Sequence, residues 1–325
     1  MPSQEKLPVI TFNTQTLNPS TDAWLSTSQA VRRALEDYGC FVVSTDKIPS
    51  DLHDTIFELS KDLFHLPLET KIKNTSDMLG FGYGNFSSYP FWEYFSIEYG
   101  DTLEANRSFT DLMFPSGNNA FCENALKYMK ILSEIDQCVM RMVYDSYGID
   151  TKQCDQFIAS MFYLARFIKY RAPSEDKRAI AIDHPMTEKN FISILGDNNV
   201  KGLEIQMRNG EWIYHKPSPL TFVVIAGEPF MAWSNGRIYA PMHQVAMRTP
   251  EEEATRYTLG IFSFTRETVK VPKELVEDSE NYLRFKPFNH LNFLKYVITE
   301  ELQGYKCSIE SYCGVTTTAP AKADY

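Results

Sequence analysis

Apolar residues recur at two different periods along this chain. In the first half the spacing is helical. "DAWLSTSQAVRRALEDYG" carries Ala30, Val31 and Leu35, and residues 50–65 carry Leu52, Ile56, Leu59 and Leu63. Residues 119–148 carry Leu126, Met129, Leu132, Ile135, Val139, Met142 and Val143. Steps of three and four residues place such side chains on one helix face. Ser50 is the expected N-cap of the second helix, and Pro67 closes it. Short strands are expected at "LPVITF" (7–12) and, after a stop at Gly39, at "CFVVST" (40–45). A shorter helix is expected over 151–160.

From residue 161 the period falls to two. "FYLARFIKYR", "NFISIL", "LEIQM", "EWIYHKP", "LTFVVIAG", "GRIYAP", "HQVAM" and "RYTLGIFSF" are strand-like runs separated by turn signals. Asn209-Gly210 marks a hairpin. Many short strands in series predict a β-sandwich or barrel. The fold class expected is therefore α+β, a jelly roll core flanked by helices. The expected division is 1–118 (N-terminal helices and strands), 119–160 (connecting helices), 161–266 (the β region), 267–312 (C-terminal helices) and 313–325 (a disordered tail).

Residues 73–118 look different. Their centre, "GFGYGNFSSYPFWEYF", reads as loop and short strand, and long structured loops often line binding sites. Phe81, Tyr83, Phe91 and Trp92 are candidate substrate contacts; the alternative is a satellite core under the loop.

Composition narrows the function. With 43% apolar residues, 22 Phe and 18 Tyr, the chain can bury a large core and line an apolar pocket. A net charge of −10 and no basic block argue against nucleic acid. No apolar run is long enough to span a bilayer, and Met1–Ile10 lacks a secretory h-region. The six Cys form no C-x-x-C pair and read as reduced thiols. A cytoplasmic, monomeric protein acting on a small molecule is expected.

The runs from "KNFISIL" through "MHQV" to "RYTLGIFSF", with "LPVITF" to "LETKIK" before them, resemble the plant soluble 2-oxoglutarate- and iron(II)-dependent dioxygenases. "HPMTEKNF" and "IKYRAP" are most similar to the group related to glucosinolate-modifying members. The resemblance implies a double-stranded β-helix and a facial triad, His-x-Asp plus a distant His, holding iron. It also implies an Arg two residues before a Ser or Thr that grips 2-oxoglutarate. His243 falls on the distant His, and Arg256 with Thr258 on the arginine pair. Tyr170 is a further co-substrate candidate. Met186 and Glu188 fall on the His-x-Asp pair and depart from it.

A thioether is a poor ligand for iron(II), and Glu188 is one methylene longer than Asp. The expectation is that no iron and no 2-oxoglutarate are used, with Glu188, His243, His184 and Lys189 doing acid–base work. That points to epimerisation, isomerisation or cyclisation of a specialised, alkaloid-type metabolite. The alternative keeps iron(II) and 2-oxoglutarate through a shifted set, Glu188, His243 and His184, for hydroxylation or desaturation. A non-catalytic binding protein is the third reading.

Overall fold

A computed structural model describes residues 6–78, 80–85, 92–171, 181–182, 185–247, 255–276, 282–303, 305–315 and 321–322. The amphipathic stretches fold as α1 (Asp22–Asp37), α2 (Ser50–His65), α3 (Leu68–Lys71), α4 (Leu103–Met113), α5 (Asn119–Ser146) and α6 (Thr151–Ala159). Thr21, Thr102, Asn118 and Asp150 cap four of these through side-chain oxygens. Ser50 is the first residue of α2 rather than its cap; the cap position is Pro49, which makes no side-chain bond.

Strands β1 (Val9–Phe12), β2 (Cys40–Thr45), β3 (Trp92–Glu98), β4 (Met161–Tyr170), β5 (Ala181–Ile182), β6 (Ile192–Asp197), β7 (Leu203–Gln206), β8 (Trp212–Tyr214), β9 (Thr221–Ala226), β10 (His243–Met247) and β11 (Arg256–Thr265) build two facing sheets. The larger runs β1-β2-β9-β6-β11-β4-β3 and the smaller β5-β10-β7-β8. Because β1, β2 and β3 enter the larger sheet, the segment 1–118 is woven into the roll instead of standing apart. The hairpin at Asn209-Gly210 joins β7 to β8, with Gly210 at φ 86°.

Alternation along the strands sorts the core into two layers. On β11, Tyr257, Leu259 and Ile261 pack with the helices, chiefly α5, while Phe262 and Phe264 face the smaller sheet. On β4, Tyr163, Ala165 and Phe167 face the helices, and Phe162, Leu164, Ile168 and Tyr170 face inward. Val245 and Met247 of β10 close the interior from the other side. Each fully buried side chain of this size contributes roughly 1.5–3 kcal/mol.

"GRIYAP" is not a strand. It follows α7 (Glu228–Trp233), and Tyr239 N–H bonds to Leu35 of α1. Beyond the roll come β12 (Thr268–Val269), β13 (Phe288–Asn289), α8 (His290–Leu302), β14 (Tyr305–Lys306), α9 (Ile309–Cys313) and β15 (Ala321–Lys322). In the segment expected to be a disordered tail, β15 pairs with β14. Among the described residues no helix is long and apolar enough to cross a membrane. All six cysteines are free thiols.

Candidate active site

The chain around Glu188 is fixed through its backbone. Met186 and His243 exchange two main-chain hydrogen bonds, at 3.0 and 2.9 Å. Glu188 carbonyl oxygen accepts from Glu228 N–H at 2.9 Å. Gly227 is required beside it: a Cβ there would sit 1.8 Å from the Asn190 carbonyl oxygen. Glu228, nearly buried, binds Lys189 at 2.7 Å and the Thr187 hydroxyl with one carboxylate oxygen. Its other oxygen accepts from Ile309 N–H at 2.7 Å. His290 adds a second brace, with Nε2 on the Lys189 carbonyl at 2.8 Å and Nδ1 accepting from Thr265 N–H.

Held this way, Glu188 Oε1 lies 3.6 Å from His243 Nε2. His243 is on β10 in step with Val245 and Met247, so its ring belongs to the inner face of the roll. Met186 shares Glu188's side of the chain, and it is 42% exposed, open at the site rather than sunk in the core. Lys189 points the opposite way, into the pair with Glu228. Its expected place in the acid–base set is thereby corrected: alternation turns it from Glu188, and its charge is spent on a structural contact. His184 lies outside the described residues, as does Phe91.

At the start of β11, Arg256 and Thr258 also face inward, both 2% exposed. The Arg256 guanidinium donates to the Thr258 hydroxyl and to Val200 O at 3.2 Å. It lies over the Tyr170 ring, 5.4 Å from the centroid. The structure thus brings the three expected co-substrate residues together. It adds one that sequence reasoning missed: Asp197, at the end of β6 opposite Thr258, whose carboxylate is 3.3 Å from Arg256 Nη2. His215 is buried nearby. Burial pushes its imidazole below the ordinary value, and Arg256 pushes the same way against the Asp197 charge.

The aromatic residues divide between the two faces. Phe81 packs on Phe264 at 5.3 Å, and Trp92 stacks on Tyr94 at 4.7 Å, both on the inner side. Tyr83 is on the helical side: it packs on Phe95 and donates to Glu93 Oε1 at 2.9 Å. Burial would raise the Glu93 carboxyl, but hydrogen bonds from Lys71 and Tyr83 with the Lys71 and Arg171 charges hold it below the usual range. Tyr83 thus braces Glu93 on the helical side, while Phe81 and Trp92 lie on the inner one. A separate cavity of about 680 Å³ on the helical side, bounded by Tyr144, Gln156, Phe157 and Trp233 among others, contains none of the expected site residues.

Family models match both halves of the chain. Residues 161–265 match the 2OG-Fe(II) oxygenase superfamily, and residues 7–106 the N-terminal region of the non-haem dioxygenases in morphine synthesis. A relative from Arabidopsis thaliana, named a probable 2-oxoglutarate-dependent dioxygenase, AOP1, is 37% identical, covering 91% of this chain and 97% of its own. The chain belongs to the 2-oxoglutarate-dependent dioxygenases. Another Arabidopsis relative, AOP2, 28% identical over 96% of this chain and 98% of its own, is named a probable inactive dioxygenase. Among solved structures, the Arabidopsis dioxygenase for auxin oxidation 1 in its 2-oxoglutarate complex superposes with a TM-score of 0.74. It is 26% identical and covers 85% of this chain and 99% of its own. JOX2 with 2OG, Fe and JA shares the fold at a TM-score of 0.73 and 19% identity, covering 90% and 85%.

These findings correct the expectation that neither iron nor 2-oxoglutarate is used: both are the cofactors of the matched dioxygenase family. The donor atoms of this chain fit iron(II) at two positions. Glu188 Oε1 and His243 Nε2 are too far apart for a hydrogen bond. They lie within the span of two ligands each ~2 Å from one metal ion. His243 Nδ1 is buried with no hydrogen-bond partner among the described residues. With the proton on Nδ1, Nε2 and Oε1 are two acceptors face to face, an arrangement that a cation between them relieves. At the third position stands the Met186 thioether, a soft donor that suits iron(II) poorly.

Proposed function

We propose that the protein is an iron(II)- and 2-oxoglutarate-dependent oxygenase that hydroxylates or desaturates a small, largely apolar molecule inside the roll. The observation that carries this is the 3.6 Å separation of Glu188 and His243, an imidazole and a carboxylate aimed at one point. Glu188 and His243 would hold the metal, which with 2-oxoglutarate supplies dioxygen activation. Arg256, with Thr258 and Tyr170 around it, would hold the far carboxylate of 2-oxoglutarate; a guanidinium fork matches that group. The apolar inner walls keep bulk water from the reacting carbon. The main-chain bridge between Met186 and His243 orients the imidazole and fixes the spacing of the two strands. The test is iron(II) binding under anaerobic conditions followed by succinate release from 2-oxoglutarate across a metabolite panel. Absence of both defeats the proposal.

A second reading is favoured by Met186. With a thioether at the third donor position, Glu188 and His243 form a carboxylate–imidazole pair suited to proton transfer. Epimerisation, isomerisation or cyclisation of a specialised metabolite is the chemistry this pair supports. Turnover that persists with a chelator and without dioxygen selects this reading. Loss of that turnover in neither Glu188→Ala nor His243→Ala rejects it.

A further inference from the structure

Two arginines face the inside of the roll from the larger sheet, and their circumstances differ. Arg256 has an internal counter-ion, Asp197. Arg166, on β4 opposite Gly260 of β11, has none within ion-pair distance among the described residues. The two lie four residues apart along the paired strands, roughly 13 Å at ~3.3 Å per residue.

The surroundings of Arg166 are those of a binding niche. Its guanidinium lies over the Tyr94 ring at 4.9 Å and the Phe262 ring at 5.1 Å. One Nη donates to the Gly80 carbonyl at 2.6 Å, which also accepts from the Tyr94 hydroxyl at 3.3 Å. Nε–H is buried and has no partner among the described residues. The side chain as a whole is half-buried, so a ligand entering the roll reaches the group. A cation in an apolar setting without a counter-ion is costly, and ring faces offset that cost only partly.

We infer that Arg166 is the anchor for an anionic group on the substrate, and that the substrate is a small carboxylate with an aromatic or extended apolar body. The carboxylate meets the planar guanidinium edge that is short of acceptors. The apolar body lies against Phe262, Phe264 and Tyr94, which share that inner face. Arg256 is set apart from it by that distance along the strands and is assigned to the co-substrate carboxylate, with Asp197 beside it. This inference rests on the proposal that the interior of the roll is the substrate site, and it adds the chemical class.

The test is binding, read by calorimetry on the full-length protein with excess EDTA, so that neither iron nor turnover enters. The probes are phenylacetate, 3-phenylpropionate and 4-phenylbutyrate, each paired with its primary amide. Wild type is expected to bind at least one acid about 10- to 100-fold more tightly than its amide, the range of a hydrogen bond to a charged group. Arg166→Gln is expected to abolish that preference, and Arg166→Lys to keep part of it. Thermal unfolding of both variants checks that the fold is retained; Arg166→Lys carries the test where Arg166→Gln does not fold. Acids that bind no better than amides, no binding of any acid at millimolar concentration, or an undiminished preference in a folded variant overturns the inference. Failure of succinate release leaves this result standing, and failure here leaves the oxygenase proposal standing.

Discussion

The Asp197 carboxylate lies 3.3 Å from Arg256 Nη2, inside the roll and shielded from solvent. A charge pair of this kind takes up the guanidinium that an incoming carboxylate needs.

The first consequence concerns 2-oxoglutarate. Asp197→Asn removes the internal competitor while keeping a polar side chain of the same shape. Binding of 2-oxoglutarate, measured by anaerobic calorimetry with iron(II), is expected to tighten several-fold. Arg256→Leu is expected to weaken it by ~10-fold or more, since a hydrogen bond to a charged group is worth ~1.5–3 kcal/mol. Equal affinity in Asp197→Asn and wild type would show that the two carboxylates do not compete.

Met186 invites a gain of ligand. Its backbone is already paired to His243, and its side chain is open to the site. Met186→His therefore supplies a third donor with no rebuilding of the strand. Outer-sphere changes alone shift metal affinity by ~10–100-fold, so a gain of at least ~10-fold is expected for iron(II). Competition against a chromogenic chelator measures it, and an unchanged constant would mean that position 186 does not face the metal.

Gly227→Ala forces a Cβ against the Asn190 carbonyl and, at 2.9 Å, the Glu188 carbonyl. Both are main-chain atoms, so the loop must move. A loss of ~1–3 kcal/mol is expected in urea unfolding, together with weaker iron(II) binding because Glu188 moves with its backbone. A destabilised variant with intact iron affinity would uncouple the two.

Stability and pH are linked through two buried groups that act in opposite directions. Burial raises the Asp136 carboxyl to about 7, against hydrogen bonds from Ser263 and Tyr163. Unfolded, it titrates near ~3.9, so its contribution is full below that value and is lost as pH climbs through about 7. Burial lowers the His290 imidazole to about 4. Unfolded, it titrates near ~6.5, so its contribution is full above that value and is lost as pH falls through about 4. Each has a limiting slope of ~1.4 kcal/mol per pH unit, and in wild type the two largely cancel between these limits. Asp136→Asn is expected to become more stable from pH 4.5 to 6.5, and His290→Gln less stable, in urea unfolding at three pH values. Parallel slopes in the two variants would refute the assignment.

Much of this architecture was legible in the chain. The period-two runs at 161–170, 221–226 and 256–265 are strands because each alternates between two apolar layers, and such strands leave an unambiguous mark. "GRIYAP" misled for the same reason. Ile238 and Ala240 are buried in alternation, but against helices, with no ladder beside them. Helix α4 escaped notice because its buried face carries Asn106 and Thr110 beside Phe109 and Met113, which breaks the apolar period. Of the candidate site, Glu188, His243, Arg256, Thr258 and Tyr170 are singled out by motif, and the structure places Glu188 beside His243 and Arg256 beside Thr258 and Tyr170. Asp197, His215 and Arg166 are not so singled out, since their importance arises from strand pairing that no local spacing encodes.

Glu228 ties the segment on either side of Glu188 to the N-terminal end of α9, more than 80 residues further along the chain. The last helix is thereby a remote control on ligand geometry: shortening the protein before Ile309 is expected to change what the active site binds before it changes whether the roll folds. Metal affinity in such a shortened chain becomes a report on the integrity of its far end.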